Sequence, residues 1–392
     1  MSATKTLYLE GRIDSNNAAE TEKSLLTSAE ESPGAEIIID AEKLTYISSA
    51  GLRVLMKLRK LSPTPLKILN ASNDVYNIME VTGFTELFDV RKKLREISVD
   101  GCEFIGSGGY GKVYRLDAET IAKIYNPGLS LEFVERERNI SQKAFLMGVP
   151  TAISYDAVKC GDSFGVVYEM LDAETVAQII SRDPARIPEL CRKSAELLKR
   201  LHQIVPGKDS GLPSRKQQAS AWLESVSGSL TDEEAGKIRA FIDSIPDRNT
   251  FLHGDFNSKN IMVRDGEFQL IDIGDAAIGH PVFDVVGLML VYIILPKTQV
   301  GRFTPEQRRG LLGFDFDYAP EVWRTMCGTY FGLSSQAEID TQTQLLMPCC
   351  NLMMSWHGFR LLGNDPEMIG SLIKSVKERL IPAIENAAPL NF

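Results

Sequence analysis

The sequence predicts a small α/β layer domain over residues 1–98, then a larger α+β domain of two lobes over residues 99–392. Three observations lead there. Up to about Val99 short apolar strands alternate with helical segments, which implies a layered α/β unit. From Gly101 the pattern changes to a glycine-rich hairpin followed by further strands, a first lobe of about 101–170. From about 171 to 392 the chain reads mainly as helices around a polar, strand-flanked stretch near residues 250–275, the second lobe.

In the first domain, Thr6 to Glu10 is strand-like, and Asp14 is expected to open a polar helix running to about Glu31. Ser32-Pro33-Gly34 breaks it. Glu36 to Asp40 is a β-branched run suited to a strand buried on both faces. Leu52, Leu55, Met56 and Leu58 to Leu61 recur at helical spacing; Leu66 to Leu69 reads as a strand, and Ala71 to Val81 as a helix stopped by Gly83. Ser48 and Ser49 stand where a strand-to-loop segment enters a helix. One serine suits the helix cap. A phosphorylation site is the other reading, because a phosphate there would meet unpaired N–H groups at the positive end of the helix dipole.

In the second domain, Gly106-Ser107-Gly108-Gly109-Tyr110-Gly111-Lys112-Val113 lies between two strand-like flanks. A dinucleotide-binding turn would open a helix here. A hairpin instead fits a glycine loop that covers ATP phosphates, since glycines let the backbone approach them. Lys123 follows on an apolar strand, suited to the α- and β-phosphates, and Glu137 is its expected acidic partner, with Glu135 close behind. Val166 to Leu171 is an apolar strand whose end, Glu169 to Leu171, is placed as the adenine hinge. The strongest signal is His253-Gly-Asp255, Asn260 five positions on, and Asp272 at the end of an apolar strand. Asp255 is the expected catalytic base, and Asn260 and Asp272 the expected magnesium ligands. His253 is expected to orient the loop.

Two resemblances rest on these residues. Residues 4–98 resemble a STAS domain, the fold of bacterial anti-sigma-factor antagonists, through Ile37 to Asp40, Leu44, Tyr46-Ile47, Ser49, Gly51 and Leu52. That resemblance implies a phosphorylation candidate at Ser49 and a protein partner for this domain. Ser48 stands where such proteins usually have Asp, and Ala50 where a second Ser or Thr is common. Residues 101–365 resemble the aminoglycoside phosphotransferase and choline kinase-like superfamily, of protein kinase-like fold, through His253-Gly-Asp255, Ile271 to Asp275 and Gly279-His-Pro281-Val-Phe-Asp284. It implies transfer from ATP with Mg2+ to a hydroxyl of a small molecule, and a structural role for Asp284.

The bulk numbers restrict the alternatives. Hydrophobic residues make up 44% and charged residues 24%, values of a globular chain. A net charge of −9 argues against sequence-independent nucleic-acid binding and against docking on an anionic membrane. Val285 to Pro296, the longest apolar stretch, is too short for a span and reads as a buried helix. No signal-like segment precedes the first strand, and the six scattered cysteines suit a reducing cytoplasm. A protein Ser/Thr kinase, or a nucleotide-controlled switch in a partner-switching pathway, is the alternative. The Asp255 and Asp272 motifs, which resemble those of small-molecule kinases, disfavour the protein kinase, and the complete set of catalytic residues disfavours the switch.

Overall fold

The computed structural model describes residues 4–62, 64–299, 304–362, 365–385, 387–390 and 392. The chain packs as two compact units, residues 1–98 with 158–161, and residues 99–157 with 162–392. Among the described residues no helix is long and apolar enough to cross a membrane.

The first unit runs β1 (Thr4–Ile13), α1 (Ala18–Glu30), β2 (Glu36–Ile47), α2 (Ser49–Arg59), β3 (Lys67–Ala71), α3 (Asn73–Val81), β4 (Asp89–Lys92) and β5 (Arg95–Glu96). β1 to β4 form a sheet in sequence order, each pair parallel. Parallel neighbours need crossovers, and the helices supply them. The core joins Ile37 and Ile39 of β2 to Leu52, Leu55 and Leu58 of α2. A methyl on Gly51 would lie 2.7 Å from Ile47 Cγ1, so glycine is what lets α2 sit this close to the sheet. The first helix begins at Ala18, later than Asp14. The Asp14 carboxylate is spent on the Asn16 N–H and the Asn17 side chain on the Asp14 N–H, so these residues close a turn first.

The second unit begins with β6 (Glu103–Gly108), β7 (Gly111–Arg115), β8 (Thr120–Tyr125), α4 (Leu131–Leu146), β9 (Ser154–Cys160) and β10 (Ser163–Glu169). Its sheet has the order β9-β10-β8-β7-β6, with the β10–β8, β8–β7 and β7–β6 pairs antiparallel. Tyr125, Val134 and Val166 pack α4 onto it.

The rest of that unit is helical around two small sheets. It comprises β11 (Glu174–Thr175), α5 (Val176–Arg182), α6 (Ile187–Leu201), α7 (Arg215–Val226), α8 (Asp232–Ser244), β12 (Thr250–Leu252), β13 (Ile261–Arg264), β14 (Glu267–Leu270) and β15 (Ala277–Gly279). Then come α9 (Val282–Met289), α10 (Leu295–Gln299), α11 (Pro305–Leu312), α12 (Ala319–Phe331), α13 (Gln336–Leu362), α14 (Pro366–Ser375) and α15 (Ile381–Glu385). The expected apolar helix near Val285 starts earlier, at Val282, and a π-helical turn over Leu290–Ile294 joins α9 to α10. β11, β13 and β14 form one sheet, β12 and β15 the other. The β12–β13 and β14–β15 connections therefore leave neighbouring strands, seated on a core of Phe251, Leu252, Ile261 and Leu270. Those connections carry the chemistry.

Candidate active site

Lys123 lies at the centre of its sheet, in register with Val113 of β7 and Val166 of β10. Its Nζ is 2.6 Å from Glu137 Oε1 and 2.8 Å from Asp272 Oδ1. Ser130 caps α4 and starts its phase, which turns Val134, Glu137, Ile140 and Ala144 inward. Glu137, rather than Glu135, is the acid that meets the lysine. Burial works against the lysine's charge, but Asp272 and Glu137 outweigh it and raise the pKa, so Lys123 stays an ammonium. Burial pushes the Glu137 carboxyl up, and Lys123 opposes that push. A methyl on Gly274 would lie 2.2 Å from Glu137 Cγ; the glycine brings the segment after Asp272 against α4.

Asp255 and Asn260 share the β12–β13 loop. Asn260 Nδ2 donates to Asp255 Oδ2 and to the Asp255 carbonyl, each at 2.8 Å, and Asn257 Nδ2 donates to Oδ1 at 3.0 Å. The Asn260 amide nitrogen is thus spent on Asp255, which turns its oxygen into the atom available to a cation. Burial raises the Asp255 pKa, and the Asp272 carboxylate adds to the rise.

Asp284 holds this loop from below. Its carboxylate accepts the His253 N–H and the Gly254 N–H, each at 2.8 Å, and faces His202 Nε2 at 3.2 Å. Burial alone would raise the pKa of this carboxyl, but these bonds, His202 foremost, take it below the ordinary value. Gly254 has φ of +87°, and a methyl there would meet the Asp275 carbonyl at 2.1 Å. His253 Nδ1 accepts the Asp255 N–H at 3.2 Å, so the histidine shapes the loop.

Asp272 adopts the left-handed conformation, φ 60° and ψ 52°. A non-glycine residue there is uncommon and marks a site where the surroundings impose the backbone. Three residues on, the Asp275 carboxylate takes a two-pronged contact from Arg360 at 3.0 and 2.7 Å. The Asp275 carbonyl takes Arg215 Nη2 at 2.5 Å. Burial would raise the pKa of Asp275, yet Arg360 brings it below the usual carboxylate range. No local motif surrounds Arg215 or Arg360, so their partners could not be read from spacing.

The β6–β7 hairpin carries Gly106, Ser107, Gly108, Gly109, Gly111 and Val113. A methyl on Gly106, Gly108 or Gly109 would meet nothing within 4 Å. Packing within the chain does not require glycine at those positions, which leaves the backbone there open to close approach. At the end of β10, where the hinge is expected, the Glu169 N–H donates to the Ile153 carbonyl at 2.9 Å and Met170 N–H to the Glu119 carbonyl at 2.7 Å. The Glu169 side chain accepts the Ile153 N–H at 3.2 Å, so it braces the segment that leads to Leu171. Among the described residues, no cluster of three or more His, Cys, Asp or Glu side chains could hold a metal by itself. Asp272 with Asn260 is nevertheless the sparse oxygen set that magnesium accepts when phosphates complete its shell. Ser49 lies in the other unit, exposed at the first position of α2, and it is Ser48 that caps that helix, through the N–H groups of Ala50 and Gly51.

Comparison with known proteins adds the following. A model described as the phosphotransferase enzyme family matches residues 101–323, more than half of the chain. A STAS domain model matches residues 2–97. No curated protein matches. Among solved structures, the chain is similar to an ADP-bound aminoglycoside phosphotransferase, APH(2'')-Ib, at 16% identity and TM-score 0.47, over 79% of this chain and 98% of that one. It is also similar to a choline/ethanolamine kinase family protein from Mesorhizobium loti, at 15% identity and TM-score 0.44, over 72% and 92%. A choline kinase from Cryptosporidium parvum Iowa II aligns at 15% identity and TM-score 0.41, over 74% and 92%.

Proposed function

The chain belongs to the phosphotransferase enzyme family, and from that premise we propose that it transfers the terminal phosphoryl group of ATP to a hydroxyl of a small molecule. The observation that carries this reading is the meeting of Lys123, Glu137 and Asp272 at 2.6 and 2.8 Å. A lysine held between two carboxylates is an ammonium placed for phosphate oxygens, and only one of those carboxylates is buried with it. Glu137 fixes its position, and Asp272 remains half-exposed and can turn to a metal.

In this reading the glycine hairpin lies over the phosphates and Lys123 pairs with the α- and β-phosphate oxygens. The hinge at Glu169 to Leu171 takes the adenine through main-chain groups. Asn260 and Asp272 would hold Mg2+, which neutralises charge on the β- and γ-phosphates when bound. Asp255 receives the acceptor's hydroxyl proton. The acceptor oxygen bonds to the terminal phosphorus as that phosphorus parts from the bridging oxygen, which leaves with ADP. Asp284 keeps the loop in place without touching the substrate.

The first domain is proposed to regulate the second, or to be regulated with it, through a protein partner, in the cytoplasm. The decisive experiment incubates the full chain with labelled ATP and magnesium, alone and with a panel of hydroxylated metabolites. Label moving to one metabolite establishes the reading. Label moving only to protein Ser or Thr would replace it with a protein kinase, and no transfer to any acceptor would reject it.

A further inference from the structure

The tip of the glycine hairpin is tied to the far end of the domain. Tyr110 sits between Gly109 and Gly111. Its hydroxyl accepts from Arg360 Nη2 at 2.9 Å, although the two residues are 250 positions apart. The N-terminal lobe holds the same tip from its own side. Asn126 Nδ2 donates to the Gly109 carbonyl at 3.0 Å, and the Asn126 N–H to the Tyr110 carbonyl at 2.8 Å. The Tyr110 and Phe133 rings stand 5.5 Å apart. Arg360 comes instead from the last turn of α13, in the helical lobe.

We propose that Arg360 is a positioning residue that holds the glycine hairpin closed over the phosphates of the nucleotide, acting through Tyr110. Asp275 fixes the guanidinium by its two-pronged contact, and the arginine's remaining donor capacity is aimed at the Tyr110 hydroxyl. A lysine could not supply that fork. The link continues from Asp275 to Gly274, which abuts Glu137, and from Glu137 to Lys123. Hairpin, metal-side segment and phosphate lysine are thereby joined through one arginine. The bond orders the loop before ligand arrives, so a nucleotide meets a competent conformation without the cost of closing it. This inference rests on the nucleotide-binding reading above.

The test titrates the full chain with ATP plus magnesium and, separately, with adenosine, which lacks phosphates. Tyr110→Phe leaves the Arg360–Asp275 pair intact, so it guards against a folding defect in Arg360→Met. Tyr110→Phe is expected to weaken ATP binding about five- to tenfold, the size of one lost hydrogen bond, and Arg360→Met at least as much because it also releases Asp275, with adenosine binding within about twofold of wild type in both. The double variant is expected to bind no more weakly than Arg360→Met, because that variant already removes the one bond that Tyr110→Phe removes. Arg360→Lys is expected to recover only part of the loss. Unchanged ATP affinity in Tyr110→Phe would overturn the proposal, as would additive losses in the double variant or a parallel loss of adenosine. In all those outcomes the wild type still binds ATP. A wild type that binds no nucleotide would instead overturn the functional reading, and this inference with it.

Discussion

Replacing Asp284 by asparagine isolates the part of the site that only holds geometry. One Asp284 oxygen serves the His253 N–H and faces His202 Nε2, and the other serves the Gly254 N–H. The residue is fully enclosed, with 3% of its surface exposed. Asparagine keeps one oxygen and puts an NH2 where the second stood. With the oxygen toward His253 and His202, two bonds to a charged acceptor become bonds to a neutral one, and the Gly254 N–H faces another donor. An unmet buried donor costs about 1–3 kcal/mol, and each weakened bond about half a kcal/mol or more. The sum is about 2–4 kcal/mol. For a domain of this size that is a melting point lower by about 3–7 °C. The assay is a thermal melt of the full chain with and without ATP and magnesium. Phosphoryl transfer is expected to fall with the displaced loop, and ATP binding to change less, because the hairpin and Lys123 are untouched. A variant that melts within about 1 °C of wild type would refute the assignment of Asp284 as the anchor.

Asp255→Asn keeps the side-chain shape but removes the proton acceptor; phosphoryl transfer is expected to drop about a hundredfold or more, with ATP affinity nearly intact. Near-normal turnover would move the base elsewhere. ATP is expected to raise the melting point far more with magnesium than with a chelator, and equal shifts would reject Asn260 and Asp272 as ligands. Burial lowers the pKa of His280 and of His357 to about 4, so the unfolded chain takes up protons near pH 6.5 while the folded chain does not. The stability these neutral histidines allow is full above about pH 6.5 and is lost as pH falls toward 4, by about 1–3 kcal/mol for each residue. A urea midpoint equal at pH 7.5 and pH 5.5 would contradict that. Ser49→Asp adds charge at the start of α2, where the helix dipole tolerates it, so the melting point should barely move while capture of a partner by the first domain changes. Mass spectrometry after incubation with ATP, comparing wild type with Asp255→Asn, tests self-modification of Ser49; equal phosphate in both would reject it.

What could be read from the sequence divides by the range of the interaction that places each residue. The fold class was legible because β-branched runs and helical spacings are local, and because a glycine hairpin flanked by strands excludes a turn that opens a helix. Asp255 and Asn260 fall in one loop because five positions separate them. The choice between Glu135 and Glu137 turns on helix phase. Val134, Glu137, Ile140 and Ala144 share the inward face, and only the later glutamate stands on that stripe. The start of α1 was placed too early because Asp14 and Asn17 can spend their side chains on a turn as easily as on a cap. Arg215 and Arg360 belong to another class. Their partners lie 60 and 85 residues away, and a charged side chain on a helix reads as a solvated surface until the facing element is known.

That division has a mechanical consequence. The groups proposed to touch ATP or the acceptor lie on short segments whose order is set by local backbone: a hairpin, a strand and two loops. The groups that fix those segments against one another come from remote helices: His202 at the end of α6, Arg215 at the start of α7, Arg360 at the end of α13. Asp284 and Asp275 are where the two sets join, each a carboxylate whose pKa is lowered by the cationic or donor groups brought to it. Neutralising either carboxylate should therefore loosen the geometry of the loop it anchors while leaving every reacting group present. Such variants would keep the hairpin, Lys123 and Asp255 but lose their alignment, and a misplacement of about 1 Å can cost about a hundredfold in rate. Asp275→Asn tests this directly, through transfer rate and ATP affinity measured on the same preparation. A rate loss much larger than the affinity loss is expected. Losses of equal size would mean that Asp275 acts on nucleotide binding alone, and the division between reacting and aligning groups would fail at that residue.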